Sequence, residues 1–328
     1  MIRGLAVLLL LVLAALGSLM AGARAVPLSD YLAALSAYDP TNAAHVTALQ
    51  IRLPRLAAGL VAGAALGVAG TVMQAITRNP LADPGILGVN AGAAFTLLLG
   101  GMLLGLPDAA GAALMTLPGA AAASALVFVL GGGLRGDAGP VRLTLAGAAL
   151  NAMLLSLVSA IVLLRRDSLE MFRFWVVGSL SEAVARPMGA MALLAAAGGL
   201  AALTAAPRIE ALSLGDALSR GLGTRPGRVQ AAALLAVTLT TGAAVGLAGP
   251  IAFLGLVVPP MARRVAGAGL RAQLLAAAAI GATLLLTADS LGRLVVAPTE
   301  VRAGIMTALL GAPVFVWLAR RVRPGAAR

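Results

Sequence analysis

The chain has no cysteine, no lysine and a single histidine, His45. The first absence removes disulfides, thiolate metal sites and a cysteine nucleophile. One imidazole excludes any centre built from several histidines, and no cofactor is expected. Without lysine there can be no Walker A loop, because its lysine is what reaches the β- and γ-phosphates. Any ATP used in the protein's work must therefore be bound by another chain. Charged residues make up only 11% of the sequence and aromatics 3%, against about 25% charged in soluble domains. The net charge of +12 contains no basic run with interleaved aromatics, so nucleic acid is not an expected partner.

What remains is apolar. Hydrophobic residues are 60% of the 328, before counting 40 glycines, and the mean hydropathy is +0.99. A surface this apolar needs lipid as part of its solvent. The runs are continuous, with no period-two alternation, so they predict helices and not a barrel. A crossing takes about 20 residues. Cutting at the Pro, Gly and charge clusters gives ten spans, near 3–23, 54–76, 85–106, 112–134, 141–164, 187–206, 227–248, 251–267, 270–291 and 302–319. The expectation is an all-α polytopic membrane protein, with residues 1–328 forming one transmembrane domain. The eighth span is interrupted by Pro250, Pro259 and Pro260. The apolar run from Leu5 to Ala23 ends in Ala23-Arg24-Ala25, which has the form of a cleavage site. That run exceeds the ~7–15 residues of a signal-peptide core, so an uncleaved helix is expected.

Ten spans put both termini on one side. Placing them in the cytoplasm leaves fifteen arginines inside and nine outside, the direction of the positive-inside rule. The nine outside are Arg24, Arg52, Arg55, Arg165, Arg166, Arg173, Arg186, Arg293 and Arg302. Gly59, Gly63 and Gly67, with Gly70 nearby, make one face of the second span bare backbone, suited to close helix packing. Asp289 and Arg293, four apart, are expected to pair along one helix face. No chain of Asp, Glu and His marks a proton relay.

Four stretches are not explained by spanning alone. Arg52-Leu53-Pro54-Arg55 places two external arginines at a helix start, with Pro54 in the first turn. Asn79-Pro80-Leu81-Ala82-Asp83-Pro84 opens a proline-punctuated internal turn. In the internal loop 207–228, Ser213-Leu214-Gly215-Asp216 has the S-x-x-D form of a capping box. It predicts a two-turn helix with an apolar side of Leu214, Ala217 and Leu218, which either packs on the bundle or docks a partner. Gly249 to Arg264 is the broken eighth span. In the fifth span the polar residues are Asn151, Ser156 and Ser159. They either line a path or bond to a neighbouring helix.

Together these stretches resemble the FecCD family of ABC-importer permeases for iron-siderophores, haem and cobalamin. The similarity runs from about Arg52 to Arg321. It includes Leu87-Gly88-Val89, Phe174-Trp175-Val176-Val177-Gly178-Ser179-Leu180, Gly249-Pro250-Ile251-Ala252-Phe253 and Leu310-Gly311-Ala312-Pro313-Val314-Phe315. Pro259-Pro260 stands where the family usually has Pro-His, and Glu300-Val301-Arg302 where Glu-Leu-Pro is common. The resemblance implies a non-catalytic, multi-pass permease of the bacterial inner membrane. Its implied partners are cytoplasmic ATP-binding cassette subunits, a periplasmic or lipid-anchored binding protein, and a second permease, identical or not. The cargo would be an iron(III)-siderophore or similar metal chelate, with haem and cobalamin as alternatives. The family's coupling helix matches the 207–228 loop, with Ser213, Leu214, Gly215, Asp216, Ala217 and Arg220 at its contact. Its fifth and tenth helices line the path, which makes Asn151, Ser156 and Ser159 the lining candidates. Arg52, Arg55 and Arg293 match external arginines that meet acidic residues of the binding protein. An ion-gradient-driven secondary transporter and a membrane-embedded assembly subunit are the competing classes.

Overall fold

The computed structural model describes residues 2–22, 26–105, 107–133, 139–221 and 223–321. Ala23-Arg24-Ala25 lies outside them. Among the described residues are fourteen α-helices and no strand. Ten carry the expected spans: α1 (Ile2–Met20), α4 (Leu53–Thr77), α5 (Val89–Leu104), α6 (Ala109–Leu130), α7 (Pro140–Leu164), α9 (Met188–Ser213), α11 (Pro226–Ala248), α12 (Leu254–Ala266), α13 (Leu270–Val295) and α14 (Ala303–Arg321). Seven helical stretches are long and apolar enough to cross a membrane, and Val89–Leu104 and Ala303–Trp317 are shorter apolar helices. The remaining four are short: α2 (Leu28–Ser36), α3 (Ala43–Val46), α8 (Arg166–Trp175) and α10 (Asp216–Gly221).

The centre of the bundle is α4, α11 and α13, with α9 packed on α11 and α5 on α6. The glycine face of α4 explains the tightest crossing. A Cβ on Gly63 would lie 2.6 Å from the Gly281 carbonyl oxygen, and one on Gly67 2.2 Å from that of Ala277. At Gly70 the Gly255 carbonyl would be 1.9 Å away. Backbone therefore meets backbone along α4, as the spacing predicts. By contrast α7 buries a narrow stripe of Leu143, Leu150, Leu154 and Val158, while much of the rest of its length is exposed. On α14, Leu309, Leu310, Val314, Val316 and Trp317 are exposed.

Prolines inside helices leave carbonyls without their usual donor, and at Pro260 and Pro207 the bundle supplies substitutes. In α12, Pro260 cannot donate to Leu256, whose carbonyl instead accepts from Gln74 Nε2 of α4 at 3.2 Å. Gln74 Oε1 in turn accepts from Arg263 at 3.1 Å. In α9, Pro207 cannot donate to Leu203, and Arg271 Nε donates there at 3.3 Å. That substitution lets α9 run through Pro207 to Ser213, so the first seven residues of the expected 207–228 loop are helical. At only 13 residues, α12 is about 20 Å long, shorter than a bilayer core. The extended Gly249–Phe253 segment precedes it, with Phe253 held at φ +66.

The resemblance motifs meet as backbone. Ser179 N–H donates to Ala248 O at 2.7 Å, and Gly304 N–H to Gly178 O at 3.1 Å. Gly178, at φ +69, faces the Pro250 carbonyl, which a Cβ would approach to 2.3 Å. Gly311 leaves room for Phe253, whose ring stands edge-on to Phe315 with centroids 6.3 Å apart.

Candidate functional site

Three regions hold the candidate residues. At the bundle end opposite α10, the helix begun by α3 continues through a π turn, Thr47–Arg52, into α4. The Leu53 N–H bonds to the Ala48 carbonyl, five residues back. Pro54 therefore lies within a continuous helix and does not open one. The wider turn adds a residue to the ring and carries Arg52 and Arg55 into the bundle.

The expected outer-rim exposure of Arg52, Arg55 and Arg293 is corrected here: they are 5%, 6% and 3% exposed. Arg55 Nη2 lies 2.8 Å and Nε 3.0 Å from the two oxygens of Asp289, itself 1% exposed. Its Nη1 donates to Glu300 at 2.8 Å. Arg293 Nε is 3.2 Å from Asp289, an ionic contact without hydrogen-bond alignment. The expected Asp289–Arg293 pairing is thus present. Arg293 also donates to the Ala21 carbonyl at 2.7 Å and to Ser18 Oγ at 3.1 Å, while Arg52 bonds to the Leu19 carbonyl. Three arginines thereby tie α1, α4 and α13 together. Desolvated cations need such partners, which is why they are not free rim charges here.

Beside this network a cavity of about 320 Å³ is lined by Trp175, Glu182, Arg186 and Arg302 among others. Arg302 donates to the Phe174 carbonyl and its guanidinium stands 4.8 Å above the Phe174 ring. That gives a local role to the residue replacing the family's usual proline. Among the described residues, Trp175 Nε1 and Arg186 Nε are buried without a partner.

At the other end, Arg78 caps α4 at φ +51 and donates to the Leu212 carbonyl at 2.6 Å. Asn79 and Asp83 close the internal turn by accepting from Leu81 and Gly85 N–H groups. Burial pushes the Asp83 carboxyl above the usual carboxylate range, only partly opposed by that Gly85 hydrogen bond. The chain then passes from α9 into α10. The capping-box expectation is corrected: Ser213 ends α9, its hydroxyl donating to the Glu210 carbonyl at 2.7 Å. Gly215, at φ +107, supplies the turn, and its carbonyl accepts from Ser219 N–H at 2.9 Å. Asp216 opens α10. Leu214, Leu218 and Arg220 are exposed, so the two leucines of the predicted apolar side are left uncovered by this chain, while the side chains of Asp216 and Ala217 lie outside the described residues. Ser219, fully buried, and Thr224 bond to one another and close the loop. Sequence reading passed over both, since small hydroxyls in a loop carry no distinctive spacing.

The fifth-span residues separate. Asn151 Nδ2 donates across to the Gly85 carbonyl at 3.1 Å. Ser156 and Ser159 are exposed and bond back within α7, to Ala152 and Leu155. Their hydroxyls face away from this protomer's core.

Seven apolar stretches long enough to cross a membrane, two shorter apolar helices and the proline-containing α12 make this a multi-pass, all-helical membrane protein. The sequence profile of the FecCD transport family matches residues 9–321, and the chain belongs to that family. It is 44% identical over 320 residues to the ferric enterobactin transport system permease protein FepD of Escherichia coli (strain K12), covering 98% of this chain and 95% of that one. It is 38% identical to the hemin transport system permease protein HmuU of Yersinia pestis, over 96% and 94% of the two chains. The iron(3+)-hydroxamate import system permease protein FhuB of Bacillus subtilis (strain 168) is also 38% identical, over 97% of this chain and 83% of its own. A solved metal-chelate type ABC transporter in an inward-facing conformation matches with a TM-score of 0.81 at 27% identity, over 97% and 98% of the two chains. The chain is a permease subunit of the metal-chelate and siderophore ABC importer class, resident in the bacterial inner membrane.

Proposed function

We propose that this permease passes an iron(III)-siderophore or similar chelate from a substrate-binding protein to the cytoplasm, driven by ATP hydrolysed on a separate cassette subunit. The observation carrying this reading is the 44% identity to a ferric enterobactin permease along 98% of the chain. The absence of lysine supports a separate ATPase. Both termini are placed in the cytoplasm, with residues 1–328 as one permease domain. The exposed flanks of α7 and α14 suit a second permease, so that the path runs between two copies and Asn151, Ser156 and Ser159 line it. The exposed Leu214, Leu218 and Arg220 support α10 and its approach, Ser213 to Ala217, as the contact with the ATPase. Arg52, Arg55 and Arg293 serve binding-protein docking by fixing the helix ends on which it sits.

Uptake into proteoliposomes containing this chain, its cassette subunit and the binding protein tests the reading. ATP-dependent accumulation of a ferric siderophore is expected, with no hydrolysis by this chain alone. Uptake driven by a proton or sodium gradient without ATP would overturn it.

A further inference from the structure

The cavity of about 320 Å³ beside the arginine network lies at the end of the bundle opposite α10. Four helix ends meet in its wall. Asp108 precedes α6, Trp175 ends α8, Glu182 and Arg186 precede α9, and Arg302 precedes α14. A volume at the lower end of the range for ligand pockets suits a small molecule.

Donors and acceptors do not balance in this wall. Trp175 Nε1 and Arg186 Nε are buried with no partner among the described residues. The rest of the Arg186 guanidinium is engaged, Nη1 with the Gly246 carbonyl at 3.0 Å and Nη2 with Glu182 at 2.6 Å. Arg302 is met by the carbonyl and the ring of Phe174, and makes no ion pair among the described residues. Both acids of the wall are in use, Glu182 on Arg186 and Asp108 on the Gly111 N–H at 2.7 Å. Leaving a buried donor unmet costs more than a typical hydrogen bond returns. Both orphans belong to side chains that line this one cavity, so it is the volume through which an acceptor can reach them.

We propose that this cavity binds the carboxylate of a small molecule. A carboxylate offers acceptors and no donors, and its charge strengthens the hydrogen bonds that it takes from guanidinium and indole groups. Arg302 adds a cation that has no acid of its own. Burial of both orphan donors favours a small ligand over an acidic side chain on a docked protein. The carboxylate has two sources, an arm of the chelate in passage or a free carboxylate from outside. Only the first rests on the transport reading.

Trp175 is itself the reporter, because the chain has two tryptophans and Trp317→Phe leaves one. Emission from that variant of the full chain in nanodiscs is titrated with citrate, with gallium(III) citrate as an uncoloured stand-in for a ferric chelate, and with inorganic phosphate. A saturable change with citrate or its gallium complex is expected, and a weaker one with phosphate. Equal affinity for citrate and the complex assigns the site to free carboxylates, and a response to the complex alone assigns it to the chelate; both uphold the site. Arg302→Pro restores the family's usual residue, and Arg186→Lys keeps the charge without the Nε–H. Each should weaken binding about ten-fold. No response to either carboxylate probe, equal affinity for phosphate, or unchanged affinity in both variants would overturn the proposal. So would a response to the binding protein without one to citrate, which would give the donors to a protein side chain. Binding is read without ATP or uptake, so its failure is distinct from failure of the transport reading.

Discussion

Arg55 donates to both carboxylate oxygens of Asp289, joining α4 to α13 at residues 234 apart in the chain. Arg293 presses on the same carboxylate from the next turn of α13. One buried anion therefore serves two buried cations, and Glu300 is the second acceptor for Arg55.

Asp289→Asn should be strongly destabilising, because it strands two desolvated guanidinium groups. Breaking a buried pair costs about 3–5 kcal/mol, which thermal unfolding in detergent would register directly. Arg55→Ala separates structure from docking. A fall in unfolding temperature with binding-protein affinity lost only in proportion to the folded fraction is expected. Normal stability with lost affinity would return Arg55 to a direct contact.

Gly67→Val should abolish the folded bundle. The new side chain would meet the Ala277 carbonyl 2.2 Å from its Cβ, and backbone cannot yield as a flexible side chain can. Gly189→Ala, where nothing lies within 4 Å, should express as the unmodified protein does. Yield of monodisperse protein after solubilisation distinguishes the two.

Asp216→Arg places a cation at the first turn of α10, where the helix dipole favours an anion. Membrane insertion should be intact, because α10 lies outside the spanning helices. Association with the cassette subunit, measured by co-purification, should fall, and ATP-driven uptake with it. Survival of both would remove α10 from the coupling role.

The raised Asp83 carboxyl gives a pH dependence of defined sign. Its folded-state value exceeds the unfolded one, so the folded chain holds the proton more tightly between them. The contribution is complete below the ordinary carboxylate value and is lost as pH rises through the raised one. Asp83→Asn keeps an acceptor for the Gly85 N–H and carries no charge. It should flatten the pH dependence and be the more stable form at neutral pH. A steeper profile in the variant would contradict the burial argument.

Much of the bundle was legible in the sequence because lipid imposes a simple code. Apolar length accounts for seven of the ten expected spans, with three more present as shorter helices; glycine spacing accounts for the α4 crossing, and the four-residue separation for Asp289–Arg293. The arginine network was not legible as a buried one. The partners of Arg55 lie 234 and 245 residues away, and those of Arg52 and Arg293 include backbone carbonyls at the end of α1. Charge counting saw them only as three of the nine arginines on the poor side of the membrane. Pro207 misled for a related reason. A proline reads as a helix end unless a distant side chain, here Arg271, supplies the missing donor. Gln74 does the same for Pro260 of α12, so that departure from the family pattern is accommodated by a residue on a different helix.

The backbone-to-backbone seam of α4 with α13 also restricts how the molecule can move. Gly63 against Gly281 and Gly67 against Ala277 bring the two main chains together, and turning either helix about its axis would drive a side chain into the facing backbone. These helices form a keel. A motion that preserves this contact would carry the lightly held α7 and α14 about the keel, as a hinge and not a shear.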